Sequence, residues 1–194
     1  MKIYRMVEID PNHIQIGDKM DVYLTNISLF KATAHRIEDD DTYTYITFMF
    51  DDCIAERPMN AARTNLGGYE ASDMQKWLKE DIFPLFPDDL KNVITSLTLP
   101  SYGMIFGHDE WGDRTLESDD DPQFVLMKKR NNRVADFYDY EDAYWLRNAN
   151  LQVLSSESFG LVDCEGAHTH CLATYPYGVR PVFTIALKRR GDVD

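Results

Sequence analysis

The residues best suited to chemistry in this sequence cluster in two places. Cys164, His168, His170 and Cys171 lie within eight positions, and all four are side-chain types that ligate zinc. Their spacing departs from the paired Cys-x2-4-Cys and His-x3-5-His arrangement of structural zinc sites. His168 and His170 stand two apart, so on a strand they point the same way and in a turn they need not converge. The segment reads as a hairpin tip, with Cys164 a small buried residue and the histidines solvated, and no metal is assigned to it. The second cluster is acidic: Asp109, Glu110, Asp113, Glu117, Asp119, Asp120 and Asp121 surround Trp111 with Arg114 as the one base. Oxygen-rich loops suit calcium, but the Asp-x-Asp-x-Asp-Gly run ending in Glu is missing.

Catalytic signatures are equally thin. Cys53 follows a strand-like run, and nothing beside it would stabilise a thiolate, so it reads as a small core residue. The sequence carries no phosphate-cradling Gly-rich loop, no Gly-x-Ser-x-Gly and no His-Glu-x-x-His. The expectation is a protein that binds without catalysing and needs no cofactor.

Such residues must be held by a fold, and 194 residues suffice for one substantial core, read as a single domain over 1–194. Hydrophobic residues make up 44% of the chain and aromatics 12%, which places it among folded proteins. No apolar run is long enough to span a bilayer, and Met1 to Arg5 lacks a signal-peptide pattern, so a cytoplasmic location in a host cell and no membrane partner are expected. Three cysteines, an odd number without an export signal, fit reduced thiols. A formal charge of −13 repels phosphate backbones and argues against direct nucleic-acid binding.

The pattern predicts an α+β fold. Strands are expected at 21–25, 29–37 and 42–50, where β-branched and aromatic residues alternate, with Glu38 to Asp41 forming the turn between the last two. Two central helices are expected next. Ser72 would cap the first, which carries Met74, Trp77, Leu78 and Ile82 on one face. Pro87 would open the second, with Leu90, Val93 and Ile94 facing inward. Residues 101–140 read mostly as loop. Short strands are expected at 143–147, 158–163 and 179–187.

Three segments together resemble a known family. They are Gly67-Gly68-Tyr69-Glu70-Ala71-Ser72-Asp73-Met74-Gln75-Lys76-Trp77-Leu78 with its partner Phe86 to Ile94; Leu99-Pro100-Ser101 followed by Phe106-Gly107; and Tyr144-Trp145-Leu146-Arg147, Ser158-Phe159-Gly160-Leu161-Val162, Gly166 and Tyr177-Gly178-Val179-Arg180-Pro181-Val182-Phe183. The combination is similar to the domain of unknown function 6273, found in phages, prophages and gut Firmicutes, over about residues 16–187. The Trp-Leu-Arg and Gly-Val-Arg-Pro elements also resemble the end of C-type-lectin-like domains, which implies a scaffold of irregular binding loops in the C-terminal half. Asn148 stands where Ser commonly follows the Arg, and two His and a Cys occupy the loop before Tyr177.

The resulting expectation is a binding protein of phage or mobile-element origin that takes a protein or other large ligand on loops 108–122 and 164–177. The contact residues would be Asp109, Glu110, Trp111, Asp113, Glu117, Asp119, Asp120, Asp121, His168, His170 and Tyr175. Trp77, Trp145, Arg147 and Arg180 are expected to be structural: the tryptophans as core anchors, the arginines paired with carboxylates or carbonyls. Two rival readings are an acidic inhibitor that imitates nucleic-acid charge against a host nuclease, and an enzyme of unrecognised type. Oligomeric state is not readable from the sequence.

Overall fold

The computed structural model describes residues 13–25, 28–108, 114–138 and 140–189. The chain folds as sheet-rich α+β. Strands β1 (Lys19–Leu24), β2 (Ser28–Asp39) and β3 (Tyr43–Phe50) run as an antiparallel meander, continued by β12 (Val182–Lys188) and β5 (Ile94–Thr98) in the order β1-β2-β3-β12-β5. The second five-stranded sheet has the order β10-β9-β8-β11-β4, from His168–Leu172, Ser158–Val162, Tyr144–Ala149, Tyr177–Val179 and Ala55–Arg57. A small hairpin pairs β6 (Ala135–Phe137) with β7 (Tyr140–Asp142).

The period-2 alternation of β3 divides its side chains between two buried clusters. Ile46, Phe48 and Phe50 face one, where they meet Phe183, Trp145 and Phe159; Met49 faces the other, with Tyr102, Leu116, Phe124, Tyr144 and Leu146. Adjacent residues of β8 and β12 divide likewise, so the clusters lie on opposite faces of shared strands. At the turn between β2 and β3, Asp40 Oδ1 accepts from the backbone N–H of Thr42 at 2.7 Å and of Tyr43 at 2.6 Å, the local bonding that makes Asp a turn former. Those bonds hold its carboxyl below its usual pKa.

The expected pair of central helices takes another form. Ser72 caps α1 (Asp73–Trp77) through Gln75 N at 3.1 Å, but after five residues the chain widens into a π turn at Leu78–Ile82, then a 3-10 turn at Phe83–Leu85. Pro84 has no N–H to continue the α ladder, and the Phe83 N–H reaches back to Leu78 O instead. The second helix, α2 (Asp88–Lys91), is a single turn. Ile94, expected on its inner face, begins β5. The stretch expected to be mostly loop contains α3 (Tyr102–Phe106), capped by Ser101, as well as β6 and the first residue of β7. Among the described residues no helix is long and apolar enough to cross a membrane.

One irregularity positions the site. β2 pairs with β3 through Ala34↔Phe48 and then Arg36↔Thr47, so His35 is the extra residue of a β-bulge. A bulge locally re-aims side chains. His35 and Arg36 both touch Phe124: the His35 ring packs on it at 4.9 Å between centroids, and the Arg36 guanidinium sits 5.2 Å from its centre.

Candidate functional site

At Arg36 the two sheets part into a cleft of about 610 Å³. Its walls bring together parts of the chain that are distant in sequence: Arg36 from β2, Gly67 to Glu70 before α1, residues 117–122, and Arg147 and Asn148 from β8. A second lobe of about 470 Å³, reached past Tyr69, Glu70, Asp121 and Arg147, extends over Thr47, Thr184 and β5.

The segment 117–122 is fastened at Glu117, Asp119, Asp121 and Pro122. Arg147 Nη2 donates to Asp121 Oδ2, and Arg36 Nη2 donates to Pro122 O at 2.9 Å. Asp119 Oδ2 accepts from Gly103 N at 3.1 Å and Asn148 Nδ2 at 2.8 Å, while its Oδ1 accepts from Asp121 N at 3.0 Å. Asn148 is the hub of this arrangement: its Nδ2 also donates to Glu117 O at 2.8 Å, and its Oδ1 accepts from Tyr102 N at 2.6 Å. Gly103 is required by contact, because a Cβ there would collide with the Asp119 carboxylate and the Asp121 carbonyl. Gly68 is required by conformation, with φ 64°, and a Cβ on it would stand 3.0 Å from Glu117 Oε2.

Two guanidiniums thus face the five carboxylates of Glu70, Glu117, Asp119, Asp120 and Asp121. Asp119 and Asp121 are engaged by the fold, and both arginines already hold the loop. Glu70 and Asp120 are exposed and have no ion pair among the described residues; Glu117 is likewise unpaired, and partial burial raises its pKa. Tyr69 OH accepts from Leu99 N at 3.2 Å, and burial pushes its pKa up to about 12, so it stays a neutral phenol. The unpaired surface of the cleft is therefore anionic.

The other expected contact residues fall elsewhere. Asp109, Glu110, Trp111 and Asp113 lie outside the described residues. The 164–177 segment is not a free loop, since residues 168–172 form edge strand β10 against β9. His168 packs its ring on Tyr102 and Phe106 at 4.9 Å and 5.8 Å, and it is half-buried where solvation was expected. His170 and Tyr175 are exposed and do not line the cleft. Cys164 is exposed where a buried residue was expected, and Cys171 is half-buried. Among the described residues no three His, Cys, Asp or Glu side chains converge as a metal-binding group. Cys53 is buried, and that burial raises its thiol to about 12.

Of the residues read as structural, Trp145 is fully buried and donates its indole N–H to Arg57 O at 2.9 Å. Trp77 is half-buried and carries the Arg57 guanidinium 4.5 Å from its ring centre. Arg180 is 4% exposed and meets neutral oxygens alone: Nε donates to Phe50 O at 2.8 Å, and Nη1 to Arg133 O and the Tyr144 hydroxyl, each at 3.2 Å, and to Asn132 O at 3.4 Å. Arg147 keeps 30% of its side chain exposed and lines the cleft. Arg36, Glu70 and Asn148 were not singled out as site residues from sequence. Glu70 lies in the Gly-Gly-Tyr-Glu segment and Asn148 directly follows Trp-Leu-Arg, and these segments meet here, whereas nothing in the sequence pointed to Arg36.

The sequence matches the family described as Domain of unknown function (DUF6273) over residues 45–187, more than half the chain, and the protein belongs to that family. The match begins within β3, so β1 and β2, the latter supplying His35 and Arg36, precede it. Comparison with curated proteins and with solved structures returns no match.

Proposed function

We propose that this protein is a non-enzymatic binding module of a phage or other mobile element, on a C-type-lectin-like scaffold, whose inter-sheet cleft holds a basic segment of a protein partner. The carrying observation is the trio Glu70, Glu117 and Asp120: three carboxylates without ion-pair partners among the described residues, on a rim whose arginines are already engaged. A Lys or Arg side chain entering there meets charge that costs the fold nothing to release. The scaffold reading is supported by the second sheet, built from β8 to β11 and β4 with irregular connections, and the phage attribution by the family resemblance of the three sequence segments.

Removing the whole 108–122 stretch is not a clean test, because Leu116 is buried and bridges to Asn150. A better test is fluorescence anisotropy with labelled arginine-rich, lysine-rich and neutral peptides. The basic peptides should bind with a steep salt dependence, and combined Glu70→Gln, Glu117→Gln and Asp120→Asn substitution should weaken them about tenfold or more at an unchanged melting temperature. Equal binding of basic and neutral peptides, or no effect of the substitutions, would overturn the reading. The formal charge of −13 also favours a second reading, in which the basic partner is the nucleic-acid groove of a nuclease. Duplex DNA would then compete with this protein for the same partner.

A further inference from the structure

At His35 lies a separate cavity of about 490 Å³, between β1, β2, the end of β3 and the 125–134 segment. Its floor holds two polar groups that the fold leaves with bonding capacity. His35 is 5% exposed, and its Nδ1 is buried with no hydrogen-bond partner among the described residues. Arg180 engages its Nε and Nη1, which leaves Nη2 for an occupant. A buried polar atom without a partner is costly in a native structure and calls for an explanation, and here it stands at a bulge that turns His35 out of the strand register.

The remaining lining is dipolar. Asp51 is occupied on both oxygens, by Lys19 Nζ and the Thr33 hydroxyl. Asp52 is exposed, makes no ion pair among the described residues, and accepts only Asp136 N at 3.3 Å on Oδ1. Leu126, Met127 and Val134 supply an apolar wall. Donors at the floor, an unpaired carboxylate at the rim and an apolar side between them match a molecule with an anionic end, a cationic end and a small apolar part. We propose that this cavity is a second binding site, for a free amino acid whose carboxylate meets Arg180 and His35 and whose ammonium meets Asp52.

The site is independent of the acidic cleft, so the two readings stand or fall apart. The test is isothermal titration of the full chain with each of the free L-amino acids, then with the N-acetylated and the carboxamide form of any that binds. At least one amino acid should bind saturably at a 1:1 ratio. Blocking either end should weaken it by about tenfold or more. Asp52→Asn, which keeps the oxygen for Asp136 N, should weaken it similarly while melting like the wild type, and His35→Gln should do so from the other end. Absence of binding by every amino acid would overturn the proposal, as would equal binding of the blocked forms or unchanged affinity in both variants.

Discussion

The two hollows lined by Arg36 and by His35 are built from the same materials and solve opposite problems. Each has an arginine that follows apolar residues in a late strand segment, and each has one residue of the bulge pair. In the cleft, Arg147 keeps 30% of its side chain exposed and pairs with Asp121, so its charge is met by charge and by water. In the cavity, Arg180 is 4% exposed and bound by carbonyls and a phenol, with its guanidinium carbon 5.2 Å from the Tyr144 ring centre. A buried cation can thus be held by dipoles and a ring face without a carboxylate, provided several acceptors converge on it. Arg180 is thus a keystone for three chain segments, whereas Arg147 fastens one loop.

The largest effect that could break this contrast is at Arg180. Arg180→Ala leaves the carbonyls of Phe50 and Arg133 without their donor inside the fold, and a loss of about 3–5 kcal/mol is expected, enough to prevent soluble expression or to lower the melting temperature sharply. A melting curve like that of the wild type would remove the keystone role.

The next effect is carried by pH. Burial, with Arg180 adding to it against the opposing pull of Asp51, lowers the His35 pKa to about 4. The unfolded chain titrates this group near the ordinary value of about 6.5, so between those values the unfolded state binds the extra proton and stability rises with pH. The contribution is complete above about pH 6.5 and is lost as pH falls toward 4, by on the order of 3 kcal/mol. Urea unfolding at pH 7 and pH 4.5 should show a smaller drop for His35→Gln than for the wild type. Parallel pH profiles would place His35 in a solvated setting instead.

Smallest is the effect at Arg147. Arg147→Ala should cost about 1–2 kcal/mol, since the ion pair is partly solvated and the backbone bond from Arg147 N to Pro100 O remains. Equal destabilisation by Arg147→Ala and Arg180→Ala in denaturant titrations would erase the distinction between the two hollows.

The legible parts of the fold are those whose signal is local. β2 and β3 could be read because one face is apolar and the turn is marked by Asp40. β5 was hidden, because Leu90, Val93 and Ile94 also fit helical spacing and only the tertiary pairing with β12 decides between the two. β10 was hidden because His-Thr-His-Cys-Leu lacks the strand composition, which an edge strand paired on one side does not need. The site was less legible still. Asn148 and the fully buried Asn65, whose Nδ2 donates to the carbonyls of Asn150, Ser155 and Ser158, act through bonds to distant backbone. No periodicity announces such a partner. The bulge that separates His35 from Arg36 has no sequence mark either, since it arises from how β2 meets β3.

The position of β12 bears on how the protein is made. It lies between β3 and β5, yet it is synthesised long after both, so the first sheet has a gap in its middle until the ribosome has extruded residues 182–188. During that interval β3 and β5 each present an unpaired edge, and Phe48 and Phe50 lack the Phe183 ring that later covers them. A nascent chain released before that point carries two sticky edges and no means of closing them. Late closure by a central strand thus ties the sheet's completion to the emergence of residues 182–188.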